Sequence, residues 1–311
     1  MGYIQTIFFT EYILSSLNFP KEYPWRITHP INYTEFRYNI EFEYEFRTNS
    51  SGFRDKERLL KKPENNYRIF VTGDSFTEGF GVDEESRFTN LLEINNIEYI
   101  NGGLSGTGPI KYGRAFLNAG LKYDPDGLLI CYNLNDLNDM PIELPEHLFY
   151  RNIDRTGIRK FIHSAIPCIY TQIKTFRIRL FKDKKQTELD YLKEVTDYAN
   201  YLEIPKTRIF DWIQSIPDSL LTAINENRFN GSILSHGLFY PESMVDIIEM
   251  KSPRSKVKWN NTCETLSKLI SEANKRDIAV GIVLIPASCQ YDINILDVNN
   301  LLERIDTLSE S

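Results

Sequence analysis

Three short apolar runs, each closed by glycine or asparagine, leave this chain few folds to choose from. Arg68–Gly73 (RIFVTG), Glu98–Gly103 (EYINGG) and Gly127–Asn133 (GLLICYN) each have the length of a strand. The third is apolar on both faces, as a central parallel strand is. Helical spacing separates them: Phe88–Glu93 follows the acidic Asp83–Glu85, and Pro109–Lys122 carries proline in its first turn. A helix over Thr262–Lys275 then precedes a fourth strand, Ile278–Pro286 (IAVGIVLIP). Strand alternating with helix in this way predicts an α/β fold built on a doubly wound parallel sheet.

Two segments lie outside that rhythm. Residues 34–47 alternate aromatic with polar side chains, from Phe36 and Tyr38 to Tyr44 and Phe46. This period of two predicts a strand or a bent pair of strands with the aromatic row packed into the core. The polar turn Asn49–Gly52 ends it. Residues 1–66 therefore read as an N-terminal helix and β extension, and residues 67–311 as the sheet domain. Residues 141–261 read as a helical insertion, with helices over Tyr191–Tyr201 and Thr207–Asn225. Near the N-terminus, Tyr3–Leu17 is apolar but interrupted by Gln5 and Glu11, and is too short to span a bilayer. A short amphipathic helix is expected there, with membrane association through it left open.

Charge and composition narrow the function. A net charge of −7 argues against a nucleic-acid partner, because phosphate binding needs a basic face. The basic residues Arg177, Arg179, Lys182, Lys184 and Lys185 read as a solvated helix face. Four cysteines and four histidines are scattered without ligand spacing, so neither a metal site nor a disulfide framework is expected. The glycines at 102, 103, 106 and 108 do not fit G-x-G-x-x-G, and no dinucleotide cofactor is expected.

Polar clusters stand at three successive strand ends: Gly73-Asp74-Ser75, Asn101 to Gly106, and Asn133-Leu134-Asn135-Asp136. An open α/β sheet gathers ligands at the carboxyl ends of its strands, so one rim would hold all three. Each has a plain structural reading. Ser75 with Glu78 fits a capping box, the glycines fit turns, and Asn135 and Asp136 fit a helix cap. Together they fit acyl transfer, with an exposed serine nucleophile and donors aimed at a developing oxyanion. The N–H of Ser75, the N–H of Gly106 and the amide of Asn135 are the candidate donors.

These blocks resemble those of the SGNH hydrolases, the GDSL-type esterases. Gly73-Asp74-Ser75-Phe76 resembles the first block, Asn101–Thr107 the second and Asn133–Asp136 the third, with Asn133 where the family usually has glycine. Asn49-Ser50-Ser51-Gly52-Phe53-Arg54-Asp55 resembles the N-x-x-G-F-R-D lead-in of a bacterial subgroup. The resemblance implies a flavodoxin-like three-layer α/β/α fold. It also implies a serine esterase or lipase acting on a small acyl ester, such as a carbohydrate O-acetyl group. Ser75 would be the nucleophile, Gly106 and Asn135 would form the oxyanion hole, and Asp74 would support from behind.

The family's fourth block, D-x-x-H, has no counterpart. Arg26, Leu144, Lys160 and Ile233 stand three residues before the four histidines. His236, in the polar stretch 231–237, is the candidate to stand in as base. Weak or absent esterase activity is the expectation. The alternatives are a non-catalytic descendant binding an acylated ligand, or an O-acyltransferase of envelope polysaccharide.

Overall fold

The computed structural model describes residues 2–17, 28–38, 42–149, 164–173, 188–201, 204–226, 238 and 252–286. It is a mixed α/β structure in two units, each with its own core. The first comprises residues 1–38, 42–180 and 257–285, and the second 39–41, 181–256 and 286–311.

The first unit is organised by a four-stranded parallel sheet flanked by helices. Its strands are β3 (Tyr67–Thr72), β4 (Ile97–Asn101), β5 (Gly127–Asn133) and β6 (Ala279–Ile285), in the spatial order β4-β3-β5-β6. All the pairings are parallel, with Val71 opposite Asn101, Thr72 opposite Ile130 and Asn133 opposite Ile285. The carboxyl ends therefore lie along one rim. Phe70, Ile100, Leu128 and Ile130 pack with Tyr112 and Phe116 of α4 (Pro109–Asn118) and with Leu269 and Ala273 of α8 (Pro253–Asn274). Burying such side chains is the main stabilising term in a sheet of this kind, roughly 1.5–3 kcal/mol for each large apolar group. α8 begins nine residues before the helix expected from Thr262.

The N-terminal extension departs from expectation in one respect. β1 (Thr34–Tyr38) and β2 (Glu43–Arg47) form an antiparallel pair, and β2 follows the predicted alternation, burying Tyr44 and Phe46. In β1 the faces are exchanged: Phe36 is 61% exposed, and Arg37 turns inward over the Phe46 ring. The register explains it. Arg37 faces Tyr44, Glu35 faces Phe46 and Phe36 faces Glu45, so even-numbered residues oppose odd-numbered ones. Directly opposed residues share a face, so the inward residues are even-numbered in β2 and odd-numbered in β1.

The described residues of the second unit are mainly helical. α5 (Glu188–Tyr201), α6 (Lys206–Ser215) and α7 (Asp218–Asn225) bury Val195, Ala199, Ile209, Trp212, Leu220 and Ile224 in one cluster. The single helix expected over Thr207–Asn225 is two helices. Ile216 takes extended backbone and Pro217 caps α7, as the residue before a proline is pushed out of the helical region.

Candidate active site

The rim is built around the turn from β3 into α2, a single helical turn at Ser75–Glu78. No side chain fits at Gly73. A Cβ there would stand 2.0 Å from Thr77 Oγ1 and 2.9 Å from the Cys131 carbonyl. The cap of α2 is Asp74, whose carboxylate accepts from the N–H of Phe76 at 3.0 Å. That corrects the capping box expected from Ser75 and Glu78. Ser75 is half-buried at the first helical position, and among the described residues nothing bonds its hydroxyl or its N–H. Phe76, beside it, is exposed.

Glu78 has a different task. It is fully buried, and it bonds His29 Nε2 at 2.5 Å and the N–H of Ser105 at 3.1 Å through Oε1. Its Oε2 accepts the Ser105 hydroxyl and lies 3.7 Å from Arg37. Burial pulls this carboxyl upward, but the hydrogen bonds from His29 and Ser105 outweigh it and hold the group below its ordinary range. Glu78 thereby fastens three stretches of chain to α2.

One of those stretches is the loop after β4. Asn101 donates from Nδ2 to the Thr77 carbonyl (2.7 Å) and to Oγ1 of Thr89 in α3 (Phe88–Leu91) at 3.1 Å, and accepts from the N–H of Gly103 (2.9 Å). Leu104 N–H donates to the Gly73 carbonyl at 3.0 Å. A Cβ on Gly103 would lie 2.3 Å from the Glu78 nitrogen, so the loop lies directly on the helix backbone. Gly106 follows at φ +65°, exposed, with open space where a Cβ would point. No described group occupies its N–H.

The third cluster closes the rim from β5. Asn133 caps the 3-10 turn Leu134–Leu137: its side chain accepts from Asn135 N–H, and Asp136 returns a bond to the Asn133 N–H. Asn133 Nδ2 also donates to the Ile285 carbonyl at 2.9 Å, tying β5 to the end of β6. A glycine at this position could not make these contacts. Asn135 Nδ2 donates to Asp74 Oδ2 at 3.1 Å, which joins the β5 cluster to the turn carrying Ser75. That amide has a second hydrogen to offer.

Asp136 is also buried, and burial favours its protonated form. The Tyr112 hydroxyl lies 2.6 Å from Asp136 Oδ1 and 3.1 Å from the Thr107 carbonyl, and has one hydrogen for two acceptors. The Tyr112 hydroxyl donates toward Asp136 Oδ1, the nearer acceptor, with the Thr107 carbonyl as the longer alternative. Burial pushes the Asp136 carboxyl up to about 8, with the charges of Asp74 and Asp139 adding to it. Asp74 is also raised, by burial first, against the hydrogen bonds from Phe76 and Asn135. It is a stronger base than an ordinary aspartate.

The lead-in segment supports this rim from below. Asn49 Oδ1 accepts the N–H groups of Ser51 and Phe53, shaping a turn in which Gly52 takes φ +83°. Buried Arg54 donates to the carbonyls of Glu78 (3.2 Å), Gly79 and Val82 (2.7 Å), satisfying the end of α2. Asp55 pairs with Arg58 at 2.9 Å and accepts the Asn101 N–H at 3.4 Å.

Of the candidate residues, Asp74 and Asn135 are in direct contact, and Gly106 follows a serine clamped to the helix that Ser75 begins. His236 lies outside the described residues. Sequence reading missed Glu78, His29 and Arg37, whose contacts span 49 residues in one case and carry no spacing signal. Among the described residues no group of His, Cys, Asp and Glu side chains is arranged to hold a metal ion. Comparison with protein-family models gave no match, and neither did comparison with curated proteins.

Proposed function

We propose that this chain carries an SGNH-type hydrolase domain acting on ester bonds. The strand order β4-β3-β5-β6 fits a flavodoxin-like sheet, in which the first strand sits between the second and third and the ligand binds where the order reverses. That point is the gap between β3 and β5. The bond from Asn135 Nδ2 to Asp74 Oδ2 spans it, and this single contact carries the reading, because it sets an amide donor beside the turn that presents Ser75.

Ser75 Oγ would attack the ester carbonyl carbon, and the serine proton would leave with the departing alcohol. Water would then attack the acyl-serine, releasing the acid and restoring the hydroxyl. The N–H groups of Ser75 and Gly106, both unoccupied among the described residues, and the second hydrogen of the Asn135 amide would receive the negative oxygen. Exposed Phe76 offers an apolar wall for the acyl group.

A fluorophosphonate probe tests this reading. Labelling of the parent protein at Ser75 is expected, with none on Ser75→Ala and a rate lowered about 10²–10³-fold on Asn135→Ala. A parent that resists the probe, or equal labelling of Ser75→Ala, would defeat it.

A further inference from the structure

The carboxylate of Glu78 is fully buried, three residues after Ser75. Ser105 meets it twice, with its N–H on Oε1 at 3.1 Å and its hydroxyl on Oε2. His29 reaches Oε1 at 2.5 Å from Nε2, and Arg37 stands 3.7 Å from Oε2. Both of these belong to the N-terminal extension. His29 lies between α1 (Gly2–Ser16) and β1, and α1 is apolar on more than one side, not amphipathic as expected. A buried carboxylate loses several kcal/mol of hydration, and an apolar side chain of similar volume often holds a fold at least as well. What the charge adds is a fixed direction for each donor it holds.

The loop after β4 shows what that direction governs. Leu104 N–H is fixed to the Gly73 carbonyl at 3.0 Å, and Thr107 Oγ1 donates back to the Leu104 carbonyl at 2.6 Å. Between them stands Gly106, with left-handed backbone and open space where a side chain would be. A glycine so placed is free to swing unless its neighbours hold it. Its N–H lies in the peptide plane that begins at Ser105, so the way Ser105 is held sets where that N–H points. Two bonds to one carboxylate hold Ser105 by backbone and side chain together. Because α2 is a single turn, Ser75 opens it and Glu78 closes it.

We infer that Glu78 is a positioning residue, setting the Gly106 N–H in register with Ser75 by way of Ser105. It touches neither substrate nor the reacting atoms. The inference rests on the reading of Ser75 as nucleophile and Gly106 as oxyanion donor. Misplacing a group in such a site by about 1 Å costs on the order of 10²-fold in rate.

Time courses of fluorophosphonate labelling test it, because they yield a final labelled fraction and a rate constant separately. Glu78→Gln keeps the volume but leaves one acceptor oxygen for donors that used two. Its rate constant should fall about 10–10²-fold while labelling still runs to completion. Ser105→Ala, a smaller change, should slow labelling about tenfold, and Ser105→Thr, which restores the hydroxyl, should recover most of the rate. The double variant Glu78→Gln, Ser105→Ala should be no slower than Glu78→Gln, since both break the same route. A purely structural role would lower the labelled fraction and leave the rate constant of the remainder at the parental value, which overturns the inference. Parental rate constants in both single variants overturn it too, and leave the ester-hydrolase reading standing. A parent that the probe does not label ends that reading and this inference with it.

Discussion

Asp136 is buried in the rim, and burial there gives stability a defined dependence on pH. Its carboxyl holds the proton up to about 8 in the fold, against 3.8 for an ordinary aspartate. Its stabilising share is full below 3.8 and is lost as pH climbs toward 8, because only the unfolded chain can release the proton over that window. Asp136→Asn removes the titrating group and keeps one oxygen as an acceptor in place of two. In urea denaturation the variant should therefore gain on the parent steadily from about pH 4 to pH 8. Glu78 works in the opposite sense. Its carboxyl is held below the ordinary value, so its share is present above about 4.5 and fades as pH falls through the lowered value. Arg54 is the other residue on which the rim leans. Arg54→Lys offers one compact donor group in place of a fork that reaches three carbonyls, and the loss should be about 3 kcal/mol or more, read from the urea midpoint.

Two glycines in the same loop should respond very differently to a methyl group. At Gly103 a Cβ would press on the backbone of α2, so Gly103→Ala should cost about 3 kcal/mol or more and loosen the loop. At Gly106 there is open space, and Gly106→Ala should cost only about 1–2 kcal/mol, from the left-handed backbone alone. Thermal denaturation of the pair separates contact from conformation. The strands of the sheet were legible because an apolar run bounded by glycine has few other uses, as Arg68–Gly73 and Gly127–Asn133 illustrate. The caps were not. Ser75 and Glu78 have capping-box spacing, yet Glu78 has better donors in His29 and Ser105, which the fold brings from elsewhere. The alternation at 34–47 identified strands but not which face was inward, since a reversal between two strands leaves no mark on composition.

Across the molecule, the sheet cluster and the helical cluster share no residue. Leu220→Ala should therefore cost about 2–5 kcal/mol in the helical unit, with hydrogen exchange quickening across 188–225 while β3 and β5 keep their protection. The candidate site was legible as three polar strand ends because parallel order alone brings such ends to one rim. What lay beyond reading was the network behind them, in which Arg37, Arg54 and Glu78 meet through tertiary packing. That network also bears on how the protein is made. Apart from the bond from Asn133 to Ile285, the rim contacts described here draw on residues between His29 and Asp136. During synthesis from the N-terminus, three strands and their polar lattice can assemble while the helical unit is still unwritten. Of the four described strands of the sheet, β6 then arrives last, as a latch on the other three.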